Sequence, residues 1–475
     1  MNGIAVQQKR FIKLTPSNNS SNGFSPESSQ PIIRFSVADT MATANMVDAR
    51  INFRLRVVKT GTTPVAANTD DFNIDKCLNG CSVLDQVIIS SRRYGNQIES
   101  VHNLGRLNSS WYSSLYSPKQ MSANVNLNCR SIGKGRYNGM NNQVGMGTTL
   151  ADNYNILQRK YLATSGAALK DLSHRQGWNQ GIDSLAASGS AQAAGYLDFS
   201  IPLHLGFFQN TDVNLNQVGG LEITCYLAQT RSLFYGTAGV NGAPLATATY
   251  SITDVSLTIP LLYYSPQEVQ QQIAQSQSVV SFMSWTSIYS VLDSTFTSIA
   301  HRLSLKGLLS SIHNTQPTQS INNLNKNNHA LINSGIEQLT FLRDGVKNPY
   351  EKTMIPTQLN ALPLANKSCT NPEILNEYLS AYRNVRDILY TQVIPENLNG
   401  RNGIVQGVYG IGANYDPSAG AGVDISGTIS YDIQTKLQDI STIPSNPALT
   451  EPYAFYSYYL SRQDYIVTPQ GMSPV

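Results

Sequence analysis

Three runs decide the fold class: Tyr196-Leu-Asp-Phe-Ser-Ile-Pro-Leu-His-Leu-Gly-Phe-Phe208, Gly219-Gly-Leu-Glu-Ile-Thr-Cys-Tyr-Leu-Ala228 and Val255-Ser-Leu-Thr-Ile-Pro-Leu-Leu-Tyr-Tyr264. They are apolar, rich in β-branched and aromatic residues, and separated by Asn/Asp and Gly/Ala/Thr loops. No helical period lies between them, which describes antiparallel strands. Leu221, Ile223, Cys225 and Leu227 alternate with Glu222, Thr224, Tyr226 and Ala228, as a strand with one buried face requires. Nothing around these runs resembles a reactive cluster, and a large β protein without one points to assembly or binding.

The whole chain has 475 residues, enough for about two to three domains. Only 13% of them are charged, against roughly 25% in ordinary soluble domains. Asn, Ser, Gln, Thr, Gly and Tyr fill the gap. Such surfaces suit large polar interfaces, where Tyr and Asn supply contact and hydrogen bonds. A net charge of +3 is too small to argue for a nucleic-acid-coating protein. The one basic cluster, Lys9, Arg10 and Lys13, reads as a solvated tail, with contact to phosphate or a membrane surface as its alternative.

The five cysteines, Cys77, Cys81, Cys129, Cys225 and Cys369, are odd in number and include no second Cys/His pair to complete a zinc site around Cys77 and Cys81. Free thiols in a reducing compartment are expected. No signal-peptide core and no apolar run near the roughly 20 residues of a membrane span occurs, so a soluble chain made in the cytoplasm is expected.

Residues 1–30, rich in Ser, Asn, Gln and Pro, read as a flexible arm. Strands are expected at Pro31–Val37, Ile51–Val58 and Val83–Ser90, with a helix over Glu99–Tyr116 from the spacing of Val101, Leu104, Leu107, Trp111 and Leu115. A polar insertion over about 117–195 precedes the three deciding runs. Past Ser265-Pro266 the grammar repeats. Val279–Leu292 reads as one long strand, followed by an alternating region over Thr295–Leu309, an Asn/Gln loop over Asn314–Asn328 and a strand at Gly335–Arg343. A helix capped by Asn371 runs to Asn384, and further strands are expected at Gly403–Tyr409, Gly427–Leu437, Tyr453–Leu460 and Asp464–Thr468.

Candidate chemistry is thin. His102, His174, His204, His301, His313 and His329 stand in no HExxH, HxH or Cys/His arrangement. His204 and His301 read as structural. No Gly-x-Ser-x-Gly elbow or P-loop occurs, and Gly407-Val-Tyr-Gly-Ile-Gly lacks a following helix. Asp70-Asp71 falls in a turn-rich loop. Sequons at Asn18, Asn19, Asn108 and Asn366 are chance matches in an Asn/Ser-rich chain. Tyr453-Ala-Phe-Tyr-Ser-Tyr-Tyr is either a carbohydrate platform or a strand dividing its aromatics between core and subunit contact. No catalytic, cofactor-binding or metal-ligating residue is assigned.

The order of elements, together with Ile201-Pro-Leu-His-Leu-Gly-Phe-Phe, Gly220-Leu-Glu-Ile-Thr-Cys-Tyr-Leu, Val255-Ser-Leu-Thr-Ile-Pro-Leu, Phe341-Leu-Arg-Asp-Gly-Val-Lys-Asn-Pro-Tyr, the 371–384 helix and Tyr453–Leu460, resembles the double jelly-roll major capsid proteins of icosahedral DNA viruses. The flavour is that of the polinton-like virus, adintovirus and virophage group, with giant-virus capsid proteins further away. The resemblance covers most of the chain from about residue 31. It implies a mainly β fold of two tandem antiparallel jelly-roll β-sandwiches, with short helices in loops and long insertions. The first roll would span 31–265 and the second, with a C-terminal tail, 266–475. It further implies a non-enzymatic capsid subunit. Such a subunit forms a homotrimer and tiles as capsomers around a DNA genome, alongside a penton protein and minor capsid proteins. The arm would be free to touch genome or an internal membrane, the chain would reside in the virion, and no small-molecule substrate is expected. The rival reading is a carbohydrate-binding or carbohydrate-active β-sandwich, which needs convergent carboxylates or an aromatic cleft.

Overall fold

The computed structural model describes residues 8–114 (save 19–22, 29, 39, 59–72 and 75–77), 196–235, 249–265, 267, 279–318 (save 295), 329, 336–354, 357–359, 368–370, 411–416, 422–435, 452–468 and 471–474. The expected polar insertion, the Gln-rich stretch after Pro266, the Asn371–Asn384 helix and the Gly403–Tyr409 strand lie outside the described residues.

The earlier strands are β1 (Gln8–Leu14), β2 (Ile32–Val37), β3 (Thr43–Ala44), β4 (Arg50–Val58), β5 (Asn73–Ile74), β6 (Leu84–Ser91), β7 (Gln97–Val101), β8 (Tyr196–Pro202), β9 (Val213–Asn214), β10 (Leu221–Leu227), β11 (Phe234–Tyr235) and β12 (Thr249–Tyr263). The later ones are β13 (Val279–Leu292), β14 (Phe296–Pro317), β15 (Ile336–Arg343), β16 (Val346–Lys347), β17 (Thr357–Leu359), β18 (Ser368–Thr370), β19 (Ile411–Asn414), β20 (Val423–Thr435), β21 (Tyr453–Thr468) and β22 (Gly471–Pro474). One helix of three turns, α1 (Leu104–Ser114), follows β7.

Two large sheets organise these strands. The smaller runs β8-β4-β12-β3-β9, with β1 lying along β12. The larger runs β16-β15-β20-β14-β21-β13-β7-β6-β10-β2, with β19 on β14 and β22 on β21. It is continuous across the two halves of the chain. β13 joins β7 in parallel where Thr286 stands opposite Ser100, and the other strand pairs described are antiparallel.

Period-2 burial explains the first core. In β10, Leu221, Ile223, Cys225 and Leu227 are buried, and Cys225 stands opposite both Ile33 and Val87. Facing them from the smaller sheet are Ile51, Phe53 and Leu55 of β4, Phe199 and Ile201 of β8, and Leu257, Ile259 and Leu261 of β12. Phe53 and Phe199 stack with centroids 5.3 Å apart. A second core gathers Ile299, Leu303 and Leu305 of β14, Leu339 and Phe341 of β15, and Ile425, Ile429, Tyr431 and Ile433 of β20.

β21 divides these two cores. Ala454, Tyr456, Tyr458 and Leu460 enter the first, while Tyr453, Phe455 and Tyr459 enter the second. Alternate residues of a strand point to opposite faces, so one strand serves as the wall of both. Its two neighbours do likewise: β13 gives Trp285 to the first core and Leu292 to the second, and β14 gives Ile312 and Leu308.

Four expectations are corrected. The helix begins at Leu104, because residues 97–101 are held as β7 against β6 and Asn103 takes a left-handed turn (φ 53°). Residues 8–14, expected in a flexible arm, pair with β12 from Gln8 opposite Tyr263 to Leu14 opposite Leu257. Ile12 and Leu14 reach the first core, and that anchors the strand. β14 runs on through Asn314, Thr315 and Gln316, since these polar side chains are buried and Asn314 bonds to Ser110 of α1. Tyr453–Leu460 and Asp464–Thr468 form one strand, paired with β13 from Tyr453 to Ile466.

Candidate functional site

The structure scatters the reactive residue types. Among the described residues no three His, Cys, Asp or Glu side chains converge as a metal site. Cys81 and Cys225 are both buried, and burial pushes the Cys225 thiol up to about 12. Cys77, Cys129, His174 and Asp70-Asp71 lie outside the described residues, and of Cys369 only the backbone, in β18, is described. Asn108, one of the sequons, is buried within α1. Asn18, another, donates its amide to Ile32 O (2.7 Å) and accepts from Arg34 N–H (2.9 Å).

The histidines separate into surface and core. His102 donates its backbone N–H to Ser287 Oγ (2.9 Å). His204 falls just past the end of β8 and is buried, and desolvation, helped by the Arg50 charge, lowers it to about 3. His329 is buried against Gly105, where an added Cβ would stand 2.5 Å from its Nε2. His301 and His313 belong to a polar network inside the second core. Ser290 Oγ meets His301 Nε2 at 2.9 Å, and His301 Nδ1 meets the Tyr459 hydroxyl at 2.8 Å. Tyr459 bonds in turn to the Tyr431 hydroxyl. His313 bonds to Ser457 and Ser311 (3.0 Å each) and stacks on Phe455 at 5.1 Å. Desolvation lowers His301 to about 4 and His313 to about 3. Both are neutral at pH 7 and closed to solvent, so the Ser–His contacts serve packing.

The best-organised polar group was invisible in the sequence. Glu99 of β7 is buried, and its carboxylate accepts three backbone N–H bonds. Gly206 (2.9 Å) and Trp285 (2.7 Å) donate to Oε1, and Phe207 (2.8 Å) donates to Oε2. Gly206 and Phe207 belong to the loop after β8, and Trp285 belongs to β13. One side chain thus ties the first half of the chain to the second. Desolvation raises the carboxyl to about 7, against the pull of the three donors. Gly206 has no room for a side chain here: a Cβ would lie 2.7 Å from Ser284 N. Around this seam Tyr458 donates its hydroxyl to Asn103 O (2.9 Å), and Arg106 of α1 stands 4.6 Å over the Tyr456 ring.

The C-terminal tyrosines offer no open platform. Tyr453, Tyr456, Tyr458 and Tyr459 are all buried within their own chain. Among the described residues the exposed large apolar ones are instead Phe11, Met41, Val279, Tyr289, Val291, Phe296, Val346 and Ile466.

With the two-core architecture and its bonded seam in place, the solved structures of similar shape become informative. The Faustovirus major capsid protein superposes with a TM-score of 0.54 at 8% identity, over 98% of this chain and 92% of that one. The fold is that of a viral major capsid protein. The PBCV-1 virus capsid gives a TM-score of 0.51 at 10% identity, over 100% and 98% of the two chains. The Sputnik virophage structure gives 0.50 at 8%, over 99% and 88%. At such identities the kinship is one of fold, and it supports the double jelly roll over the full length. No protein-family model and no curated protein matches the chain.

Proposed function

We propose that this chain is a major capsid protein. Three copies associate into a pseudo-hexameric capsomer, and capsomers tile an icosahedral shell around a DNA genome. One observation carries the reading: the double jelly-roll match extends from end to end of both this chain and the capsid proteins it resembles. Two lobes per subunit, dividing near residue 265, give a trimer six similar corners, the shape a hexagonal lattice needs. What the side chains do supports it. The buried carboxylate, histidines and tyrosines bond within and between the two cores, and the low charge leaves polar faces that can meet without strong repulsion. Neighbouring capsomers, a penton protein and minor capsid proteins are the partners this reading needs, and the virion is its location. The reading makes the chain a non-enzyme.

The test is native mass measurement with negative-stain microscopy of the purified full chain. The expected result is a species of three protomer masses with a pseudo-hexagonal outline, and shells on concentration. A protein that stays monomeric under all conditions refutes the proposal. Glycan binding or hydrolysis by that monomer would establish the carbohydrate reading instead.

A further inference from the structure

The basic cluster near the start of the chain is not a loose tail. Lys9, Arg10 and Lys13 sit on β1, an edge strand of the smaller sheet, whose inward side chains Ile12 and Leu14 are anchored on the first core. Alternation then places Lys9, Phe11 and Lys13 together on the outward face. All three are exposed, Phe11 at 64%. The Lys9 ammonium lies 5.2 Å from the Phe11 centroid, and Arg10, on the opposite face, lies 5.8 Å from that of Tyr263. Opposite Lys9, Phe11 and Lys13 on β12 stand Leu262, Pro260 and Thr258. No acidic residue occurs on β1 or on the stretch of β12 that it pairs with. A second exposed apolar side chain, Met41 at 56%, precedes β3, whose Thr43 is opposite Leu262.

Lysines on an edge strand can serve simply to prevent edge-to-edge pairing. That role explains Lys9 and Lys13, but it leaves unexplained a phenylalanine held outward between them on a rigid strand. Duplex nucleic acid would satisfy the cations and leave Phe11 and Met41 in water. A bilayer satisfies both: cations meet anionic headgroups while the apolar side chains enter the headgroup–acyl boundary.

We propose that the outward face of β1, with Lys9, Phe11, Lys13 and the neighbouring Met41, docks on an anionic lipid bilayer. This binding does not require the capsid reading, and the two fail separately, because oligomeric mass and vesicle binding are measured on the same sample.

The experiment is co-sedimentation of the full-length protein with vesicles of phosphatidylcholine alone or mixed with phosphatidylserine, at low and high salt. Binding is expected only to the anionic vesicles and is expected to fall at high salt. Lys9→Gln with Lys13→Gln should weaken it roughly 30-fold, at about fivefold per cation. Phe11→Ser should weaken it at least about fivefold, while Val346→Ser, an equally exposed apolar residue on β16, should leave it unchanged. Phe11→Trp supplies a reading that does not depend on loss, since its emission should shift to the blue when anionic vesicles are added. Absence of binding, equal binding to neutral vesicles, or indifference to both the lysine and the Phe11 changes overturns the proposal. So does competition by duplex DNA that is unaffected by Phe11→Ser, which would assign the face to nucleic acid.

Discussion

Replacing Glu99 by glutamine keeps the shape of the side chain but leaves one acceptor oxygen for three N–H donors from Gly206, Phe207 and Trp285. A buried donor without a partner costs about 1–3 kcal/mol, so Glu99→Gln should lower unfolding free energy by roughly that amount, read by chemical denaturation. Glu99 and the core histidines also set opposing pH dependences. The folded Glu99 carboxyl, at about 7 against an ordinary 4.5, holds a proton that the unfolded chain has released, so its contribution declines as pH rises through that window. His204 and His313 at about 3 and His301 at about 4 stay neutral in the fold, while the unfolded chain takes up protons below 6.5. Their contribution drains as pH falls from 6.5 towards 4. Three imidazoles against one carboxyl make acid the destabilising direction for this set. His313→Gln, which cannot ionise, should therefore flatten the fall in melting temperature between pH 7 and pH 5. None of this was legible in the sequence: an isolated Glu or His carries no local pattern, and the donors to Glu99 are more than a hundred residues away in the chain.

Glycine 206 marks the element scale, because it lets the loop after β8 press onto β13. Gly206→Ala drives a Cβ into Ser284 N at 2.7 Å, and overpacking of this kind should cost about 1–3 kcal/mol. Gly345→Ala provides the contrast: its backbone is left-handed (φ 81°) with open space around it, so only about 1–2 kcal/mol of backbone strain is expected there. Paired thermal melts check the difference, best seen if Gly206→Ala also loosens the contact between β7 and β13. Elements were legible wherever one face was wet. β10 alternates cleanly because Glu222, Thr224 and Tyr226 face outward, and β13 matched its expected bounds. The misreadings share a cause. Val101, Leu104 and Leu107 fit a helical spacing even though Val101 ends a strand, and Asn314–Gln316 look like loop until the fold buries them and Ser110 and Arg106 supply the partners of Asn314. β1 was hidden by the polar residues that follow it.

For the molecule as a whole, the two cores share strands, and they should melt together. Tyr456→Ala opens the first core and Tyr459→Ala the second, each at about 3–5 kcal/mol, yet calorimetry should show a single transition in both variants. Two separated transitions would mean that the lobes are independent. The proposed trimer should depend weakly on salt, because charged residues are only 13% of the chain, so its mass should persist from about 50 to 500 mM salt while the proposed vesicle binding does not. The division of β21 between both cores also fixes an order in time. Among the described strands of the larger sheet, only the short β22 follows it in the chain. Neither core can close before the ribosome has delivered Tyr453–Leu460, so a nascent chain that ends short of them keeps both open. A chain cut short of Tyr453 would leave both cores without the wall that β21 supplies.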